Sequence, residues 1–426
     1  MPNLIPILIV FVLFFLGVPV AFAMLIASFI YFTFMCDGVT MFTMVSSLLT
    51  QAESFTMLAV PFFITAGTIM GYGGVSENLM DFCELLTGRF RGGLGATNCL
   101  LSTFMGGISG SSCADAAFEA KMLVPEMEKR GYSKGYASAI TAASSCITPI
   151  IPPGIALIIY ATAAGCSIGD MFMAGYIPGI MICAVLMITN YAVSKRRGLK
   201  PSREQKATPK EFLHQLGKSI WALLMPLGII MGMRLGWFTP TECAAITVVY
   251  SIFVGALVYK KLKPKHMKRV IVESVNSTAS VVLILSSASL FSRYMVWEGI
   301  PQKAAGALAA ISSNKYVFIL IIMLFMLVLG MFLDTAAALV ILPPLLLPVA
   351  TALGIDVVHF GIILCLMDTI GGITPPFGVM LFAVMGVTKV SIKEYLKEGW
   401  PLIAAVFGVI LLVSFVPEFC MFLVNL

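Results

Sequence analysis

The sequence predicts an all-α polytopic membrane protein built from two inverted copies of one unit, each holding a re-entrant hairpin and a discontinuous helix. Three observations predict it. The 426-residue chain is 59% hydrophobic and only 11% charged, against about 25% charged residues in soluble domains. Two of its apolar runs are broken by proline where a membrane helix belongs: Thr148, Pro149, Ile150, Ile151, Pro152, Pro153, Gly154, and Ile373, Thr374, Pro375, Pro376, Phe377, Gly378. The surroundings of the two breaks also align. Setting Gly154 on Gly378 places Ser167, Ile168, Asp170, Gly175 and Tyr176 on Ser391, Ile392, Glu394, Gly399 and Trp400. Upstream, Asp115, Ala116, Ala117 and Pro125 fall on Asp334, Thr335, Ala336 and Pro344. The two offsets differ by five, which predicts a small insertion in the second copy around Ala350 to Asp356.

Along the chain, residues 1–56 are read as N-terminal scaffold helices. The apolar run 4–35 is longer than the ~20 residues a crossing needs, and Gly17 and Pro19 are expected to kink it as a single crossing. The first repeat covers 57–193. It opens with a span at 57–73 and a mixed segment at 76–90 suited to the interface. From Gly92 the apolar stretch stops at a small polar tip, Gly106 to Ser112, and resumes to Pro125. Each arm is short for a crossing, so 92–125 reads as a re-entrant hairpin whose helix ends offer free amides and carbonyls to an ion or anion. The broken helix follows at 136–165, then a span at 171–193.

Residues 194–276 hold cytoplasmic loops and two scaffold spans, 220–237 and 244–259. The loops carry Lys195, Arg196, Arg197, Lys200, Arg203, Lys206 and Lys210, then Lys260, Lys261, Lys263, Lys265, Lys268 and Arg269, a positive-inside signal. The second repeat covers 277–426: a span at 281–297, a hairpin at 315–349, a broken helix at 358–387 and a closing span at 401–423. Each repeat crosses an odd number of times, because a hairpin adds none or two. The first therefore ends in the cytoplasm and the second begins there, which inverts them, and paired breaks in inverted halves mark the site of a secondary transporter.

Composition excludes other classes. The net charge of +6 sits in the two basic loops, so no nucleic-acid partner is expected. The ten cysteines are scattered in apolar segments without metal or disulfide spacing, and His214, His266 and His359 are far apart. The run from Gly71 to Gly74 lacks the strand and the Gly-Lys-Ser ending of a phosphate loop. The first apolar segment lacks a basic leader and a cleavage site, and reads as a retained membrane helix. No cofactor is expected.

Charged residues at bilayer depth cost roughly 2.5–3.5 kcal/mol on insertion scales, so Asp115, Glu119, Lys121, Asp334 and Asp368 need a reason. Glu119 and Lys121 are expected to snorkel from the hairpin base, and Asp115 and Asp334 to cap the helix after each tip or to ligate directly. A hard cation such as sodium takes about six oxygens. The candidate ligands are Ser111, Ser112, Ser145 and Thr148 in the first half, and Asp334, Thr335, Asp368, Gly371 and Thr374 in the second.

Residues 107–154, GISGSSCADAAFEAKMLVPEMEKRGYSKGYASAITAASSCITPIIPPG, and 372–378, GITPPFG, with Gly236 to Glu242 ahead of a helix, resemble the large membrane subunit of tripartite ATP-independent periplasmic (TRAP) transporters. The resemblance covers nearly the whole chain. It implies sodium-driven uptake of an organic acid (sialic acid, a dicarboxylate or a sugar acid) by an elevator-type movement in the bacterial inner membrane. It also implies two partners, a periplasmic substrate-binding protein and a small four-helix membrane subunit. The acid is expected at Ser109, Gly110, Ser112, Thr148, Pro152 and Gly378, with sodium as the coupling ion. Asp368 departs from the asparagine frequent at that position in the family. A stand-alone sodium-coupled carboxylate carrier would share the inverted hairpins. A remote rival is an intramembrane aspartyl protease using Asp334 and Asp368, but its Gly-x-Gly-Asp run is missing.

Overall fold

Glycine, proline and hydroxyl side chains set where the helices of this protein begin and end. The computed structural model describes residues 3–36, 44–46, 48–49, 53, 55–107, 110–203, 208–300, 303, 314–331, 335–375 and 378–426. Ser109 and Asp334, both expected at hairpin tips, lie outside the described residues, as do Pro376 and Phe377. Among the described residues, β-pairing is confined to an isolated bridge between Arg91 and Pro201.

The first apolar run forms two helices instead of one kinked crossing. α1 (Ile5–Phe15) and α2 (Val20–Phe34) pack against each other. Gly17, at φ +85°, takes a backbone region that favours glycine, and Pro19 launches α2 from extended backbone. α3 (Ala59–Tyr72) and α4 (Val75–Thr87) take the places of the expected span and interfacial segment, and they meet at 71°. α4 turns Val75, Leu79, Phe82 and Cys83 inward and leaves Glu77 and Asp81 exposed.

The two hairpin arms of the first repeat are α5 (Gly93–Gly106) and α6 (Ser112–Lys129). Its broken helix is α7 (Lys134–Ser144) and α8 (Ile155–Ala164), followed by α9 (Ile168–Arg196). α10 (Pro209–Arg234) and α11 (Pro240–Phe253) each start at a Thr-Pro pair with a capping box, Thr208 with Glu211 and Thr239 with Glu242; such caps contribute about 1 kcal/mol. α12 (Pro264–Trp297) begins well before the expected start at 281. The second repeat then follows the order of the first: α13 (Lys315–Leu329) and α14 (Thr335–Ala352), α15 (Val357–Ile373) and α16 (Val379–Thr388), and α17 (Ile392–Phe415). α17 stops short of 423, and Pro417 opens a separate turn, α18 (Glu418–Met421).

Backbone details recur at matched positions. Gly154 and Gly378 start α8 and α16, and Gly165 and Lys389 end them in the left-handed region, at φ +68° and +59°. Ser167 and Ser391 then accept the amides of Asp170 and Glu394. The insertion overlaps the expected stretch from Ala350 to Asp356. α6 runs four residues past Pro125 and α14 eight past Pro344, so four of the five extra residues make one added helical turn.

Packing partners match as well. α6 lies on α16 as α14 lies on α8, and α7 lies on α17 as α9 lies on α15. Each half therefore holds the broken helix of the other. Tyr160 on α8 donates to the Val357 carbonyl at 2.7 Å, and a Cβ on Gly361 would stand 2.2 Å from the Tyr160 ring. Tyr395 donates to the Ile373 carbonyl at 3.1 Å, which satisfies an acceptor freed by the second break. Around this core, α12 packs on α2, α3 and α14, and α11 on α3.

Six of the described helices, with α11 counted through its π-helical continuation Val254–Val258, are long and apolar enough to cross a membrane, seven spans if α3 and α4 count as one. In α10 and α12 only 28% of the apolar window is buried inside the protein. Their remaining apolar side chains face outward, as a lipid-facing helix requires.

Candidate functional site

Four helix N-termini meet at one cavity of about 670 Å³. Ser112 to Asp115 bring the first turn of α6, Ile155 and Ala156 that of α8, Thr335 and Ala336 that of α14, and Val379 and Met380 that of α16. Orphan amides and the positive end of the helix dipole lie at each of these termini. The opposite wall comes from α3, α4 and α12, with Thr68, Tyr72, Ser76, Glu273 and Ser277. Tyr72 donates to Glu273 at 2.6 Å. Among the described residues, the lining includes the acids Asp115, Asp368 and Glu273 but no lysine, arginine or histidine.

Of the expected site residues, Gly110, Ser111, Ser112, Thr335 and Asp368 line this cavity. Ser111 is the N-cap of α6, which leaves Asp115 one turn inside the helix instead of at the capping position. Thr335 donates to Asp368 Oδ2 at 2.5 Å and ties the second hairpin to the second broken helix. Ser145, Thr148, Pro152, Gly371, Thr374 and Gly378 are not among the residues that line it. The Ser145 hydroxyl donates to the Ala142 carbonyl at 2.8 Å, that of Thr148 to Ser102 O at 3.4 Å, and that of Thr374 to Ile370 O at 2.6 Å.

The glycines there serve close approach. A Cβ on Gly371 would stand 2.7 Å from the backbone of Gly330, and one on Gly378 2.4 Å from the Gly372 carbonyl. The α3 and α12 wall was missed by sequence reasoning. Glu273 was a signal for it, an acid placed ahead of the expected span although α12 already runs there.

Glu119 does not snorkel. It is 0% exposed, held in a polar cluster between α5, α6 and α7. Ser102 reaches its two carboxyl oxygens at 2.9 and 2.8 Å, and Asn98 donates to Thr141 at 2.6 Å beside it. Lys121, two residues on, is exposed.

Comparison with known proteins agrees with this architecture. The family model "Tripartite ATP-independent periplasmic transporter, DctM component" matches residues 7–419. The sialic acid TRAP transporter large permease protein SiaM of Vibrio cholerae is 36% identical over 97% of this chain and 96% of its own length. The sialic acid TRAP transporter permease protein SiaT of Haemophilus influenzae is 35% identical over 97% of this chain and 67% of its own length. Among solved structures, the YdaH transporter of Alcanivorax borkumensis superposes with a TM-score of 0.67 at 14% identity, over 96% of this chain and 98% of that one, a likeness of fold. With a family match over almost its whole length and relatives that are transport permeases, not enzymes, this chain belongs to the DctM family, the large permease component of TRAP transporters, and is a multi-pass protein of the inner membrane.

Proposed function

We propose that this chain carries an organic acid across the inner membrane by sodium-coupled, elevator-type exchange. The observation that carries the reading is the charge pattern of the cavity. Four helix N-termini favour an anion, yet the charged side chains among the described lining residues are all acidic, so a bound organic anion needs cations to offset its charge. Sodium supplies that charge, with Ser111, Ser112, Thr335 and Asp368 as the nearest oxygens and Ser145, Thr148, Gly371 and Thr374 at the two breaks. The carboxylate of the substrate is placed against Gly110 and Ser112.

Relatives are named for sialic acid, 2,3-diketo-L-gulonate and C4-dicarboxylates, all organic acids, which supports that class for this chain. The moving part is assigned to α5–α8 and α13–α16, and the fixed part to α3 and α10–α12. A periplasmic binding protein delivers the substrate, and a small membrane subunit braces the fixed part. Flux into proteoliposomes holding this chain, a small subunit and a candidate binding protein tests the reading. Uptake of an acid is expected only with an inward sodium gradient and with the binding protein. Equal uptake without sodium overturns the coupling, and equal uptake without the binding protein favours a stand-alone carrier.

A further inference from the structure

Glu119 is a buried acid that the proposed sodium and substrate sites do not use. Two hydroxyls face its carboxyl group, Ser102 at 2.9 and 2.8 Å and Ser144 at 3.4 Å. Each hydroxyl has a single hydrogen to give, and each has a backbone carbonyl within reach: Asn98 O at 3.2 Å from Ser102, and Thr141 O at 3.0 Å from Ser144. An ionised carboxylate only accepts, so it would compete for two hydrogens with those carbonyls and with Asn98 Oδ1, 3.3 Å from Ser144. A neutral carboxyl relieves that competition at Ser102. Glu119 then donates to Ser102 Oγ, and Ser102 donates to the Asn98 carbonyl.

The surrounding charges point the same way. The titratable groups that reach Glu119 are Cys83 on α4, Cys99 on α5 and Asp115 on its own helix. None is a cation. α16, which packs on α6, has no titratable side chain, and α7 has only Lys134 and Tyr136 at its start, where the Tyr136 hydroxyl turns to Asn190 at 3.2 Å. Lys121 faces the exposed side of α6. Asp115 lies four residues before Glu119, on the same helical face, and lines the cavity.

We propose that Glu119 is a proton-binding site of the moving part, filled and emptied from the cavity past Asp115. When it empties, the carboxyl O–H bond breaks, the electron pair stays on Glu119 as carboxylate, and the proton passes to cavity water or to Asp115. The proposal rests on the transport reading above and adds a second coupling ion to it.

Two measurements test it. In the reconstituted complete transporter under a fixed sodium gradient, acidifying the outside should raise accumulation by up to about ten-fold per pH unit for one proton per cycle. Glu119→Gln should give the same uptake with and without that acid step. In purified wild-type protein, the infrared stretching band of a protonated carboxyl should fade as pH rises and should be missing from Glu119→Gln. An acid response that survives in Glu119→Gln overturns the proposal. So does a wild-type band that never titrates, whether or not the variant folds. If the wild-type protein transports nothing, the transport reading fails, and the infrared titration alone decides this one.

Discussion

Hydroxyl groups of the second hairpin and the second break divide by what they touch. Thr335 donates at 2.5 Å to Asp368, across from one element to another, whereas Thr374 donates to Ile370 in its own helix. A hydrogen bond to a charged group contributes about 1.5–3 kcal/mol and a neutral one about 0.5–1.5 kcal/mol. Thr335→Val, which keeps the shape, is therefore expected to raise the sodium concentration for half-maximal uptake about ten-fold or more, and Thr374→Ala to change it within about three-fold. Sodium titration of uptake at matched protein abundance checks both, and equal effects would contradict the assignment of Thr335. The type of such residues was legible in the sequence, because hydroxyls and acids stand out in apolar runs. Their direction was not. Glu119 read as snorkelling because its place near a hairpin arm says nothing of which face α5 and α7 cover, and only packing settles that it is 0% exposed.

The broken helices depend on glycine for space. A Cβ on Gly154 would stand 2.0 Å from the Pro149 carbonyl, and one on Gly378 2.4 Å from the Gly372 carbonyl, both fixed backbone atoms. Gly154→Ala and Gly378→Ala are expected to cost about 1–3 kcal/mol each by overpacking, read as a lower apparent Tm in detergent. Gly408→Ala in α17 is the control, since its Cβ meets nothing within 4 Å; an equal loss there would remove the steric account. These breaks were legible because proline and glycine act locally on the backbone. α1 and α2 were misread for the converse reason: a Gly and a Pro two apart suit a kink as well as a reversal, and the choice lies in the +85° φ of Gly17 and the contact between the two helices.

At the scale of the molecule, polar contacts sort the helix ends into two groups. The first comprises the basic loops and what touches them. Lys261 pairs with Glu77 on α4, Arg203 donates its amide to the Gly88 carbonyl at 2.9 Å, and Arg130, just past the first hairpin, reaches Ser202. Arg197 pairs with Glu398 near the start of α17. The second group lies at far helix ends. α17 has 24 residues, roughly 36 Å at 1.5 Å per residue, and beside its last residue, Phe415, stands Tyr316 at the base of the second hairpin, with rings 5.9 Å apart. α10, which leaves the basic loop at Pro209, ends at Arg234, and that side chain donates to the Leu423 carbonyl at 3.4 Å. The first hairpin thus starts beside the basic loops and the second beside the far end of α17, and described residues of both line one cavity, the arrangement that the inverted reading expects. With the basic face in the cytoplasm, a reporter placed near Lys200 is expected to read cytoplasmic, and one fused after Leu426 periplasmic. Because Leu423 is tied to the far end of α10, a cytoplasmic reading after Leu426 would contradict both the parity of the crossings and this contact, and the inverted arrangement would have to be abandoned.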